Sequence, residues 1–168
     1  EVDFEIRLKP IDESYPPGMQ PGAIAEYIAK KKAEAFSDML QPDEILITGD
    51  TLVFKGDIAL GKPNDAQEAQ EMLQLLSGTS HEVISSICVT TSTQQLVDHD
   101  LAKVYFRTFT SEEITHYINT YQPFDKAGAY GIQEWIGHVG ITKIEGAYNT
   151  VVGLPTHLLY AMLNRLLN

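Results

Sequence analysis

The chain has 168 residues, of which 43% are apolar and 21% charged, with one cysteine and a formal net charge of −11 at pH 7. That length suits one globular domain burying about 70% of its unfolded surface, no apolar run approaches the ~20 residues of a membrane span, and the lone Cys88 rules out an internal disulfide. The acidic balance argues against non-specific binding of long nucleic acid, which wants a basic face, but not against a small phosphorylated ligand held by a few lysines or a divalent cation.

In chain order, Val2, Phe4, Ile6 and Leu8 alternate with charged residues at a period of two, which predicts a strand. The pattern opens in mid-strand, so a partner segment is expected before it. Pro10 to Gly22, with four prolines and two glycines, reads as a loop carrying Asp12 and Glu13. From Ala23 the apolar residues fall at helical spacing to Phe36, with Lys30, Lys31 and Lys32 inside, and Pro42 closes the region. Glu44 to Thr48 reads as a short buried strand with Gly49-Asp50-Thr51 at its C-terminal end, then a hairpin over 52–60. Asn64 or Asp65 caps a helix reaching Ser77, and Gly78 ends it.

His81 to Thr91 and Val104 to Phe109 are β-rich, with a turn expected between Thr93 and Asp100. Cys88 lies in the first of these runs and reads as a buried, inert thiol. Thr110 and Glu113 make a capping box for a helix through Asn119. Tyr121 to Gly131 is a loop, Trp135 to Ile144 a glycine-interrupted strand, Glu145 to Pro155 a second loop, and Thr156 to Leu167 an amphipathic helix. Helices alternating with strands and hairpins predict a three-layer α/β domain on a mixed sheet. With no secretory h-region at the front, a cytoplasmic protein is expected.

The string Asp125-Lys126-Ala-Gly-Ala-Tyr-Gly131-Ile-Gln133 is too polar and too rich in small residues to be core filler. Its glycines allow a bend or close approach to a ligand, and Lys126 and Gln133 bring donors for phosphate or a base edge. Asp50, after a buried strand, is either a turn aspartate or a carboxylate placed to hold a metal or take a proton from water. Gly56-x4-Gly61-Lys62 misses a phosphate-binding P-loop, because Pro63 stands where a metal-ligating hydroxyl is required. Lys62 is then either a solvated lysine or a point charge for phosphate. Glu13 reads as a solvated loop acid on local sequence, and Lys32 as a snorkelling lysine that faces partly inward. The five histidines show no paired metal spacing, and no serine elbow or Cys-x-x-Cys occurs.

Four segments in this order, residues 28–35, 48–53, 61–83 and 125–133 followed by Val151-Val-Gly-Leu-Pro155, resemble the Maf family of nucleotide pyrophosphatases across nearly the whole chain. The resemblance implies a Maf or inosine-triphosphatase-like fold, one domain over 1–168 without the family's first strand and its Ser-x-Ser-Pro-Arg-Arg phosphate loop. It also implies hydrolysis of a nucleoside triphosphate to monophosphate and pyrophosphate with a divalent metal, Mg²⁺ or Mn²⁺, with Co²⁺ as a further candidate. On the same resemblance Asp50 is the catalytic acid-base and Glu13 its metal partner. Lys32 and Lys62 bind phosphate with help from Lys126, and Thr51 and Gln133 select the base. Ala129-Tyr-Gly-Ile-Gln133 resembles the branch acting on dTTP and UTP, and a homodimer is plausible for the family. Two other readings stand beside this one: a pyrophosphatase for other, non-canonical nucleotides, and a non-catalytic regulator of septum formation.

Overall fold

A computed structural model describes residues 3–167. Its centre is a five-stranded sheet in the order β2-β1-β3-β4-β5, built from β1 (Leu46–Lys55), β2 (Ile58–Leu60), β3 (Ser80–Thr90), β4 (Gln95–Phe106) and β5 (Ile141–Glu145). Every neighbouring pair among the described residues is antiparallel, where the sequence predicts a mixed sheet. The α/β class holds. The hairpins β1–β2 and β3–β4 set adjacent strands antiparallel, as short connections must.

Helices cover both faces. On one, α1 (Pro21–Glu34) lays Ile24, Ala25 and Ile28 on Phe54 and Ile84, and Ala29 and Ala33 on Cys88. On the other, α2 (Ala66–Leu76) and α3 (Ser111–Tyr121) pack over Val53, Val83, Val104 and Phe106. Residues one apart on a strand serve opposite faces, which is why odd positions of β1 and β3 point to one layer and even positions to the other. Leu73 and Leu76 of α2 are fully buried, each contributing about 1.5–3 kcal/mol relative to exposure. Asp65 caps α2 by accepting from the Glu68 amide at 2.9 Å, and the expected Thr110–Glu113 box caps α3. Helices α4 (Trp135–Gly140), α5 (Tyr148–Val152) and α6 (Thr156–Leu167) complete the chain, with Met162 of α6 buried against Ile87 and Val89.

Several expectations are corrected. Residues 3–10 form no strand, since no partner pairs with them among the described residues, and Phe4, Ile6 and Leu8 are exposed; Val2 lies outside the described residues. The turn expected over 93–100 shrinks to residues 92–94, because β4 pairs with β3 along its whole length and overrides its polar composition. Trp135–Gly140 is a helix rather than a strand. Its glycines serve close approach: a Cβ on Gly137 would lie 2.0 Å from the Ile132 carbonyl oxygen, and one on Gly140 2.2 Å from the Phe109 ring. The loop expected over 145–155 contains α5. Within this helix Ile136 is fully buried, Trp135 packs on the core and Val139 is exposed.

Candidate active site

Asp50 does not end a strand. It sits in the middle of β1, opposite Ser86 of β3. The preceding Gly49 is no turn residue, since a Cβ there would lie 2.6 Å from the Ser86 carbonyl oxygen, so glycine is what lets β1 and β3 close at this point. The short β2 covers only Val53–Lys55, and no described strand pairs with the other edge of residues 46–52. A cleft of about 470 Å³ lies along that edge, within the range of small-molecule sites.

The edge lets one cleft draw on both faces of the sheet. On the α1 face, Lys32 donates to Asp50 Oδ1 at 2.7 Å and lies 3.0 Å from Glu13 Oε1, with the Gly49 carbonyl at 3.3 Å. Two acids thus converge on one ammonium. The Asp50 carboxyl is raised above the ordinary range, first by burial, with the Lys32 contact opposing. Lys32 resists its own burial through Asp50 and Glu13, and its pKa is raised. Ser86 donates to the Ala25 carbonyl at 2.7 Å and accepts from the Asp50 amide at 3.2 Å, tying the acid's backbone to α1. Lys62 lines the cleft and adds positive potential at both Asp50 and Asp125.

On the opposite face stand Thr51, Gly131, Gln133 and residues 151–154. The 125–133 loop is held in place rather than loose. Tyr117 of α3, fully buried, donates to Glu134 and accepts from the Gly131 amide at 3.0 Å. Glu134 also lies 3.3 Å from the Lys126 ammonium, whose other partner is Asp125 at 2.8 Å. Tyr130 bonds His81 at 2.7 Å behind the loop. Gln133 is exposed at the cleft, and its carbonyl accepts from His138 at 3.1 Å.

The fold therefore gathers Lys32, Asp50, Thr51, Lys62, Lys126 and Gln133 along one cleft, with Glu13 reaching it through Lys32. Sequence reasoning missed Ser86, Tyr117 and Glu134. A pair of serines inside the apolar run Val83–Val89 was the available signal, since buried hydroxyls need partners. Nothing in sequence spacing links Tyr117 to Gly131. A further group, Glu26, Asp98 and His99, holds its ligand atoms within 4.8 Å of one another, which histidine spacing did not foretell. A 2.7 Å hydrogen bond between the His99 ring and Glu26, and one from the His99 amide to Asp98, hold these three groups together.

The Asp50–Lys32–Glu13 cluster on one flank, and Thr51 and Gln133 beside the charge-paired Lys126 on the other, define an α/β protein fitted to a ligand with an anionic part and a polar, uncharged part. The chain belongs to the Maf-like protein family, whose model matches residues 1–166. It is 48% identical over 166 residues to the dTTP/UTP pyrophosphatase of Flavobacterium johnsoniae, covering 99% of this chain and 86% of that protein. It is 49% identical to the protein of the same description from Flavobacterium psychrophilum, over 97% of this chain and 84% of the relative. A third, from Bacteroides thetaiotaomicron, is 45% identical over 98% of this chain and 86% of its own length.

Proposed function

We propose that this protein hydrolyses dTTP and UTP to the monophosphate and pyrophosphate. The observation that carries the reading is the Asp50–Lys32–Glu13 cluster, which opens onto the same cleft as Thr51 and Gln133. Relatives described as dTTP/UTP pyrophosphatases over almost the whole chain support it.

The donor set suits a hard divalent cation, Mg²⁺ or Mn²⁺. Glu13 and Asp50 offer carboxylate oxygens aimed at a point that already holds positive charge. When bound there by Glu13 and Asp50, such an ion polarises phosphate oxygens and lowers the pKa of its water.

Asp50, ionised, orients a water for in-line attack at the α-phosphorus and takes its proton. A carboxyl raised by burial is a better base than an ordinary aspartate. Lys32, freed from its two acids as the triphosphate arrives, turns its ammonium to phosphate oxygens. Lys62, at the open side, meets the charge that develops on departing pyrophosphate. Lys126 is the third cation, though Asp125 and Glu134 already hold it. Gln133 presents a donor and an acceptor to a base edge. A non-catalytic regulator would have no need of this combination.

The test is pyrophosphate release from a panel of triphosphates with Mg²⁺, Mn²⁺ or Co²⁺. Turnover should be greatest with dTTP and UTP, and Asp50→Asn should fold normally and lose at least about a thousandfold in kcat. Near-normal turnover by that variant removes Asp50 from the chemistry, and a preference for purine triphosphates overturns the substrate assignment.

A further inference from the structure

Behind Thr51, on the sheet face opposite α1, runs a line of hydroxyl groups that the mechanism above does not use. The Thr51 hydroxyl oxygen lies 2.9 Å from Ser85 Oγ. Ser85 Oγ donates to the Thr150 carbonyl of α5 at 2.7 Å. The Thr150 hydroxyl donates in turn to Asp100 of β4, whose carboxylate also lies 3.5 Å from His157. Ser85 and Thr150 are fully buried, so water does not supply alternative partners.

Proton counting fixes the direction of this line. A serine hydroxyl has one proton, and that of Ser85 goes to the Thr150 carbonyl, which can only accept. The contact between Thr51 and Ser85 must then be filled by the Thr51 proton. Thr51 is left with lone pairs alone for anything else in the cleft. It lines that cleft, and it is backed by Gly153, where a Cβ would come within 3.1 Å of its hydroxyl oxygen.

We propose that Ser85 is a positioning residue for base selection, turning the Thr51 hydroxyl so that it accepts the N3–H of a uracil or thymine imide. The inference rests on the pyrimidine triphosphate reading above and deepens it. Uracil and thymine carry a proton on N3; cytosine has a lone pair there, which would face the lone pairs of Thr51. A site whose buried group is left unpaired by the wrong ligand discriminates more strongly than shape alone.

The test compares kcat/KM for UTP, CTP and 3-methyl-UTP, whose N3 bears a methyl group in place of hydrogen. Wild-type protein should prefer UTP to both by at least about tenfold. In Ser85→Ala the Thr51 hydroxyl is free to rotate and donate. The UTP-to-CTP ratio should fall by about tenfold, chiefly through gain on CTP, while kcat for UTP stays within about threefold. Thr51→Val should abolish the effect of adding Ser85→Ala, whereas Thr51→Ser should keep it. A merely structural serine would lower both substrates together in either background. If wild-type protein treats CTP or 3-methyl-UTP like UTP, or if Ser85→Ala leaves the ratio unchanged, the proposal is overturned while the pyrophosphatase reading stands. Absence of turnover on every triphosphate overturns both. Where Ser85→Ala does not fold, Ser85→Cys, whose thiol is only a weak donor and acceptor, is read by the same change in the UTP-to-CTP ratio, and an unchanged ratio overturns the proposal.

Discussion

Lys32 sits where Asp50 and Glu13 meet, and each of the three depends on the other two. Burial raises the Asp50 carboxyl, while the neighbouring ammonium holds it down. A general base works only when ionised, so on the role proposed for Asp50 activity should fall as the pH drops through its pKa, and this acidic limb should lie above the 3.8 of an ordinary aspartate. Lys32→Met takes away the opposing cation, so the limb should move to still higher pH while KM for the triphosphate rises. A pH–rate profile of wild type and variant checks both, and a limb that moves to lower pH would contradict the assignment. Sequence alone offered Lys32 as an inward-facing lysine with an unknown partner. Its partners lie 19 residues upstream and 18 downstream (32 − 13 and 50 − 32), brought together by a loop and a strand.

Among the elements, those with strong local signals were legible: α1, α2 with its Asp65 cap, α3 with its capping box, and the amphipathic α6. What was not legible depends on contacts distant in sequence. Gly49 reads as a turn locally and is a close approach between strands; Gly137 and Gly140 read as strand interruptions and are helix positions pressed against Ile132 and Phe109. The polar first half of β4 is held as strand by β3 rather than by its own composition. Asp50 and Lys62, among others at the cleft, had ambiguous local readings, and only the folded chain brings them together. At this scale, Gly137→Ala should destabilise the protein by about 1–3 kcal/mol, because its methyl would strike a backbone carbonyl that no rotamer change can clear. Urea denaturation measures this, and a loss no larger than that of an exposed helix substitution would show that α4 can shift.

Across the whole molecule, loss of stability between pH 7 and pH 4.5 should trace largely to one core residue. His81 is 2% exposed, bonds Tyr130 through Nε2, and has no partner for Nδ1 among the described residues. Burial, and then the charge of Lys55, lower its pKa from 6.5 to about 4. The unfolded chain therefore binds a proton at this residue below pH 6.5, and the native state does so only near 4. Stability should fall as the pH drops through that window, by up to about 3 kcal/mol. Urea midpoints at pH 7 and pH 4.5 test it, and His81→Phe should flatten this part of the slope whatever it does at pH 7. The alternation of Asp50 and Thr51 to opposite sides of β1 has an evolutionary consequence. On the roles proposed above, bond cleavage and base choice lie one peptide unit apart, yet each answers to a different layer of the protein. On those roles, substitutions at Thr51 and Ser85 can retune base choice while Asp50 and Ser86, on the reverse side of the sheet, stay untouched.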